Sequence, residues 1–194
     1  MIPGVPHPSM PHVVSVNVGR PREIADGDRV VRTAIFKSPA DGTVRVGRLN
    51  LDGDGQADLK VHGGEAKAVY AYPAEHYGPW AEDLGRTDLG WGAFGENLTL
   101  RGLLERDVHE GDVLRIGSAA FVVTTPRQPC FKLALRLGTK DVVARMWETG
   151  RCGFYLSVAA EGEIRAGDAV ALERGGGAVD IGTAFAHRRP GTRD

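Results

Sequence analysis

The sequence predicts a single domain of mainly β structure with a few short helices. The chain has 194 residues, which is enough for one well-buried core and short for two full domains. Its 27 glycines and 11 prolines interrupt the apolar segments at short intervals, a pattern typical of short strands and tight turns. Gly-Asp precedes an apolar run at 27–28, 111–112 and 167–168. Repeated turn-and-strand units favour a closed or nearly closed barrel, although Gly-Asp is also common turn chemistry.

The first half of the chain is predicted to consist of strands separated by turns. After a Pro-rich N-terminal arm, short apolar and β-branched runs predict strands at 13–18, 29–36, 43–46 and 67–72. The Gly- and Asp-rich segment 50–64 is long for a connection, which is typical of functional or disordered loops. Pro73 then favours a helix to about residue 84, because proline suits the first helical turn. Residues 85–95 are predicted to be loop.

The second half is predicted to contain more strands and two helices. Strands are predicted at 97–100, 113–116, 121–125, 154–158 and 169–172. The turn at Gly117-Ser118 favours a β-hairpin, and the segments 131–137 and 141–149 are predicted helices. From Gly175 the chain is Gly-rich and then basic. The predicted organisation is therefore an arm at 1–12, one domain at 13–174 and a poorly ordered tail at 175–194.

Bulk properties exclude several classes of partner. The net charge of −1 does not indicate a nucleic-acid polymer or an anionic membrane as a partner. No signal peptide or bilayer-spanning apolar run is visible, which predicts a cytoplasmic, reducing environment. The two cysteines, Cys130 and Cys152, are therefore expected to be unpaired. Cys152 adjoins a predicted strand and is expected to pack in the core.

The segment Pro-Arg-Gln-Pro-Cys at 126–130 is the strongest local indication of a functional site. Its two prolines stiffen the backbone, so Cys130 is placed by a rigid loop at the end of a hairpin. Arg127 and Lys132 lie close in sequence, and nearby cations stabilise the thiolate, which is the nucleophilic and metal-binding form. A thiolate favours soft or high-valent metals over calcium or magnesium. The alternative is a buried structural cysteine.

A second candidate is the segment Lys-Val-His-Gly-Gly-Glu-Ala-Lys at 60–67. Paired glycines, Gly63 and Gly64, allow close approach of a ligand, and their N–H groups can bind an anion. Lys60, His62 and Lys67 add cationic or hydrogen-bonding side chains, as a phosphate or another oxyanion requires. The alternative is a turn with solvated lysines.

A third candidate is Phe-Gly-Glu-Asn-Leu-Thr at 94–99. Glu96 and Asn97 can hydrogen-bond a heterocycle with an amide-like edge, or they can cap a turn. A zinc site is not indicated, because the spacing of His62, His76, His109 and Cys130 matches no closed zinc pattern.

Taken together, these segments resemble the MOSC family, which is named for the C-terminal domain of molybdenum cofactor sulfurase. The resemblance spans about residues 53–172 and is greatest to a stand-alone bacterial branch associated with resistance to hydroxylaminopurine. The segments that carry it are Gly-Asp-Gly-Gln-Ala-Asp at 53–58, Lys-Val-His-Gly-Gly at 60–64, Tyr-Pro-Ala-Glu-His-Tyr at 72–77, Phe-Gly-Glu-Asn-Leu at 94–98, Gly-Asp at 111–112 and Pro-Arg-Gln-Pro-Cys at 126–130.

The resemblance implies a MOSC-type β-barrel with short peripheral helices and a molybdopterin-type molybdenum cofactor. Cys130 is then the molybdenum ligand or the carrier of a persulfide. The phosphate of the cofactor suits the glycine loop and its cations, and the pterin edge suits Glu96 and Asn97. The residues expected to bind the cofactor are Lys60, His62, Gly63, Gly64, Lys67, Asn97, Arg127 and Cys130.

The resemblance also implies reduction of N-hydroxylated compounds such as hydroxylaminopurines and amidoximes, which related proteins carry out. The chain has no flavin motif and no cysteine set for an iron–sulfur cluster, so a separate flavin, haem or iron–sulfur protein is expected to donate electrons. Cys130 is the expected catalytic centre, and His62 or Glu96 is expected to supply a proton. Two alternatives remain open, namely sulfur transfer through a Cys130 persulfide and a non-enzymatic cofactor-binding module. The chain is expected to be a monomer or a homodimer.

Overall fold

The computed structural model describes residues 10–57 and 63–191. In these ranges the strands are β1 (His12–Val18), β2 (Arg22–Asp26), β3 (Arg29–Thr33), β4 (Ser38–Pro39), β5 (Val44–Val46), β6 (Val69–Pro73), β7 (Leu98–Arg101), β8 (Val113–Ile116), β9 (Ala119–Pro126), β10 (Phe154–Ala160), β11 (Gly162–Ile164) and β12 (Val170–Glu173). The α-helices are α1 (Tyr77–Leu84), α2 (Phe131–Leu137), α3 (Asp141–Thr149) and α4 (Ile181–Ala186).

Eight of these strands form one large mixed sheet in the order β12-β8-β9-β10-β6-β7-β1-β4. Only β6 and β7 run parallel among these neighbours, and every other pair in the sheet is antiparallel. The strands β2 and β3 form a separate hairpin, and β5 pairs with β11. The prediction of a mainly β fold with a few short helices is confirmed.

The strands of the described residues form no continuous closed barrel, so the closed form of the predicted architecture is not observed. The two sides of the large sheet nevertheless approach each other. His12 in β1 forms one isolated antiparallel bridge with Ala169, which immediately precedes β12. The backbone N–H of Val170 donates to the carbonyl of Pro11 at 2.7 Å. These contacts do not form a continuous pairing of β1 with β12, and β4 lies beyond β1 at the edge of the sheet.

Large apolar side chains fill the space between the sheet and the helices. Trp80, Tyr72, Phe94, Phe121 and Phe154 are among the largest fully buried side chains. Their burial gives the main favourable contribution to folding, since apolar surface is removed from water. The glycines and prolines that interrupt the chain keep the individual strands short.

Several predicted boundaries agree with the structure, and two differ. The hairpin of β8 and β9, α2 and α3 lie where they were predicted. The predicted strand 29–36 ends at Thr33, and its hairpin partner β2 was not predicted. The predicted helix start at Pro73 is wrong, because Pro73 is the last residue of β6 and pairs with Leu100. A single 3-10 turn (Ala74–His76) separates it from α1.

The C-terminal tail contains an ordered helix, contrary to the prediction of poor order. Asp180 caps α4, since its side chain accepts a hydrogen bond from the Thr183 N–H at 2.9 Å. Ile181 and Phe185 are buried, and the Phe185 ring stacks on Trp147 with ring centres 4.4 Å apart. Two apolar residues four apart suffice to dock so short a helix, and the surrounding glycines and arginines obscure this pattern in the sequence.

The N-terminal arm predicted at 1–12 lies largely outside the described residues. Within residues 10–57 and 63–191, every helix is too short or too polar to cross a lipid bilayer.

Replacing Phe185 tests the docking of α4. We expect Phe185→Ala to lower the free energy of unfolding by about 3 kcal/mol, because it removes a buried aromatic ring. Val179→Ala is the matched control, since Val179 is 41% exposed and its change should stay within about 0.5 kcal/mol. Urea unfolding measures both variants, and equal stability of Phe185→Ala and the parent chain would show that α4 does not pack.

Candidate functional site

An open pocket lies where the segment 126–130 meets the segments 33–37 and 54–57. Its volume is about 640 Å³ including the mouth, and we call it the Cys130 pocket. Its polar lining side chains are Thr33, Lys37, Asp54, Gln56, Lys67, Tyr70, Asn97, Arg127, Cys130, Lys132 and Tyr155.

Local backbone structure places Cys130 at the rim of this pocket. Pro126 ends β9 opposite Phe154 of β10, and the Arg127 N–H donates to the Gly153 carbonyl at 3.3 Å. Cys130 is the N-cap residue of α2, and its carbonyl accepts the Leu133 N–H at 2.9 Å. The cysteine is partly exposed, so its thiol is accessible to a ligand. The rigid placement predicted for Cys130 agrees with this geometry.

Arg127 places a buried positive charge beside the cysteine. Its residue is 5% exposed, and the guanidinium carbon lies 5.0 Å from the centre of the Tyr70 ring. Burial lowers the pKa of Arg127, but Tyr70, Tyr155 and Cys130 together raise it above its ordinary value. No carboxylate of the described residues forms an ion pair with it. Buried charges are normally paired, so this guanidinium favours an anionic ligand.

A buried ion pair forms another part of the lining. The Lys37 ammonium donates to Asp54, and their side chains are 8% and 3% exposed. Burial lowers the pKa of Lys37, while the charge of Asp54 and its hydrogen bond act in the opposite direction. Asp54 also accepts hydrogen bonds from the Gly19 N–H at 2.9 Å and from Asn97 Nδ2 at 2.8 Å. This one carboxylate therefore joins several segments of the pocket wall.

Asn97 lines the pocket, but its amide is engaged within the protein. Its Oδ1 accepts the Tyr70 N–H at 3.1 Å, and its Nδ2 donates to Asp54 and to the Asn17 carbonyl. The side chain therefore supports the wall of the pocket. Its predicted contact with a cofactor stays a prediction.

Glu96 is fully buried and is not among the residues that line the pocket. Its carboxylate accepts hydrogen bonds from the Tyr77 hydroxyl, the Thr99 hydroxyl, and the N–H groups of Gly92 and Phe94. Burial raises its pKa. The carboxylate holds the preceding loop together, and the expected role of Glu96 in proton supply or pterin binding stays a prediction.

The predicted glycine loop is only partly described. Lys60 and His62 lie outside the described residues, so their expected roles stay predictions. The Gly64 N–H donates to Gln56 Oε1 at 2.7 Å, and neither Gly63 nor Gly64 lines the pocket. The expected anion-binding role of this glycine pair stays a prediction.

The structure brings four predicted residues together in the pocket: Lys67, Asn97, Arg127 and Cys130. Lys67 lies with its ammonium 5.7 Å from the centre of the Tyr155 ring. Among the described residues, no group of three or more His, Cys, Asp or Glu side chains can hold a metal ion.

Sequence reasoning missed several lining residues, in particular Lys37, Asp54, Tyr70 and Tyr155. The two tyrosines are paired across β6 and β10, with ring centres 5.3 Å apart. Their position on adjacent strands depends on strand order, which the sequence does not show. Lys37 immediately follows an apolar segment, and a single cation in that position was the feature of the sequence that could have indicated a site residue.

The pocket wall requires glycine at position 95, and a substitution there tests this. Gly95 has φ +81°, and an added Cβ would lie 2.6 Å from Ile35 Cγ1. We expect Gly95→Ala to lower the free energy of unfolding by about 1–3 kcal/mol. In the control Gly90→Ala, the new Cβ meets no atom within 4 Å, so the change should stay within about 0.5 kcal/mol. Equal urea stability of the two variants would contradict this account.

Comparison with known proteins identifies the family of the chain. Residues 58–171 match the MOSC domain. The uncharacterized protein YflK of Bacillus subtilis is 48% identical over 155 residues, covering 80% of this chain and 70% of that protein. Protein YiiM of Escherichia coli is 39% identical over 159 residues, covering 81% and 70%. A protein named Reductase from Gibberella moniliformis is 35% identical over 170 residues, but the match covers only 30% of its length.

Solved structures show the same relationship. The crystal structure of YiiM from Geobacillus stearothermophilus has a TM-score of 0.77 and 40% identity, covering 93% of this chain and 84% of that one. YiiM from Escherichia coli has a TM-score of 0.76 and 30% identity, covering 95% and 80%. The chain therefore belongs to the MOSC domain family, in the bacterial branch that contains YiiM and YflK.

Proposed function

We propose that the chain binds a molybdenum cofactor in the Cys130 pocket and reduces N-hydroxylated compounds. The observation that carries the proposal is that Cys130 shares its pocket with the buried, carboxylate-free guanidinium of Arg127. Membership of the MOSC family and the name Reductase of the fungal relative support a reductive activity. Electrons would come from a separate flavin, haem or iron–sulfur protein.

The chemistry of the lining residues fits this cofactor. Four cationic side chains, Lys37, Lys67, Arg127 and Lys132, line the pocket, and Asp54 is the carboxylate among its lining residues. Lys37 is already paired with Asp54, so positive charge is in excess. Such an excess suits a phosphate group, to which guanidinium and ammonium groups donate charge-assisted hydrogen bonds.

Each part of the pocket has a distinct role in this proposal. Cys130 would provide the thiolate ligand for molybdenum, since thiolates bind soft and high-valent metals. Arg127, Lys67 and Lys132 would hold the anionic parts of the cofactor. The bound cofactor supplies two-electron oxygen-atom transfer. The protein contributes orientation, charge and protons.

Lys37 is the described side chain that we propose as the proton donor. It lines the pocket, it has N–H groups, and burial lowers its pKa toward the range in which an ammonium can give up a proton. Asp54 would keep Nζ in place during the transfer, since it accepts a hydrogen bond from that atom. The expected roles of His62 and Glu96 in proton supply stay predictions beside this proposal.

Sulfur transfer is a second candidate, because partial exposure of Cys130 also allows a persulfide to form. It predicts a mass increase of one sulfur atom on Cys130 that a thiol reductant removes. Mass spectrometry of the purified protein distinguishes this function from cofactor binding.

Loss of the thiol tests the ligand role of Cys130. We expect wild-type protein, purified from a host that makes the cofactor, to hold about one molybdenum and one pterin per chain. Cys130→Ala should lose most of the molybdenum, because the thiolate ligand is removed. Elemental analysis and pterin fluorescence give the two quantities.

Cys152→Ala is the matched control for this measurement. Cys152 is fully buried, burial raises the pKa of its thiol, and it does not line the pocket. We expect it to keep the molybdenum. Equal molybdenum in wild type and Cys130→Ala would refute the ligand role.

The pH dependence of reduction tests Lys37. Only the ammonium form can donate, so the rate should fall as the pH rises through the pKa of Lys37, which lies below its ordinary value of 10.5. Lys37→Arg keeps the charge opposite Asp54 but cannot release a proton, so we expect at least a roughly tenfold lower rate and no such fall. Lys140→Arg, at an exposed position, should behave as wild type. An unchanged rate and pH profile in Lys37→Arg would exclude Lys37 as the donor.

A further inference from the structure

Two arginines outside the Cys130 pocket contact the same aromatic ring. The guanidinium carbon of Arg22, in β2, lies 4.1 Å from the centre of the Phe36 ring. That of Arg136, in α2, lies 5.2 Å from the same point. Contact with a ring stabilises a cation but leaves its charge in place. The structure therefore holds two like charges close together.

Neither guanidinium has a carboxylate partner in the described part of the chain. Other arginines do, as the ion pairs of Arg86 with Asp88 at 2.8 Å and Arg115 with Glu173 at 2.6 Å show. The hydrogen bond of Arg136 is a long one, 3.4 Å from Nη2 to the Lys37 carbonyl. Its Nε is enclosed and has no hydrogen-bond partner in the described residues.

The electrostatic surroundings of Arg136 are unfavourable for its charge. Burial lowers its pKa, and the positive charges of Arg22 and Arg86 lower it further. Glu96 and Tyr77 act in the opposite direction, but the Glu96 carboxylate is already occupied by four hydrogen-bond donors. An anion bound to these guanidiniums would remove the repulsion between them.

We propose that Arg22 and Arg136, with Phe36 between them, form a binding site for a phosphate group. The planar guanidinium presents paired N–H donors that match phosphate oxygens, and contact with the ring restricts its orientation. Arg22 is exposed and can turn toward an anion that Arg136 holds. The site does not depend on the proposed cofactor function.

The site is separate from the Cys130 pocket but adjoins it. Ile35 and Lys37 line the pocket. The ring of Phe36, the residue between them, contacts the two guanidiniums. A bound phosphate would therefore act on the segment that forms one wall of the pocket. A free phosphate ion and the phosphate of a nucleotide offer the same chemistry to the two arginines.

Calorimetric titration with inorganic phosphate, at constant ionic strength in chloride, tests the site. We expect Arg22→Met and Arg136→Met each to weaken binding at least tenfold. Arg115→Met removes a charge of the same kind elsewhere on the surface and should change the affinity less than twofold. Because Arg22 is exposed, its variant should fold normally, which circular dichroism checks.

A pocket variant and a second ligand make the result specific. Lys67→Met should remove only phosphate binding that takes place in the Cys130 pocket, which Lys67 lines, and the binding that Arg22→Met and Arg136→Met weaken should persist in it. Adenosine monophosphate should bind at least as tightly as phosphate, and tighter binding would identify a nucleotide as the source of the phosphate. Absence of phosphate binding in wild type would overturn the proposal. So would loss of binding in Lys67→Met with retention in Arg136→Met.

Discussion

The buried carboxylate of Asp54 is the interaction on which the rest of the pocket depends. It accepts hydrogen bonds from the Gly19 N–H, the Lys37 ammonium and Asn97 Nδ2. A carboxylate removed from water is stable only with such partners, so the end of β1, the segment after the β2–β3 hairpin and the segment before β7 converge on it. Asn97 extends this constraint to β6 by accepting the Tyr70 N–H.

The opposite side of the pocket carries charge that the protein does not neutralise. Arg127 is enclosed by Tyr70, Tyr155 and the start of the cysteine segment, without a carboxylate partner in the described residues. A buried guanidinium without a carboxylate partner is less stable than one in an ion pair, and an anionic ligand would offset this difference. The positive charge of Arg127 would therefore have two effects. It disfavours the fold without a ligand, and it favours a bound phosphate and a thiolate at Cys130.

Local patterns predicted much of the fold and only part of the site. Helix periodicity and turn residues were sufficient for α2, α3 and the β8–β9 hairpin. The prediction that Cys130 follows the end of the β8–β9 hairpin is confirmed. Lys37 and Asp54 are 17 positions apart in sequence and lie in different loops, and no local pattern indicates that they meet. The sequence also does not show whether a carboxylate such as that of Glu96 faces a pocket or, as here, accepts the hydrogen bonds that close a loop.

The predicted closed barrel differs from the observed sheet for a related reason. Alternating turns and strands predict many short strands, but closure depends on pairing between the first and last strands. In the described residues that pairing is limited to one bridge between His12 and Ala169 and three backbone hydrogen bonds between residues 11–13 and 167–170. Similarly, the docking of α4 relies on a contact of Phe185 with Trp147 in α3. The Gly-rich and basic composition of the tail does not indicate this contact.

We propose that Cys130 binds molybdenum in a pocket whose cations hold the anionic part of the cofactor. A crystal structure of the protein purified from a host that makes the cofactor tests it most directly. We expect electron density for a metal bonded to Cys130 Sγ and for a phosphate in contact with Arg127, Lys67 or Lys132. A folded protein with a metal-free, pterin-free pocket, or with a metal bound away from Cys130, would contradict it.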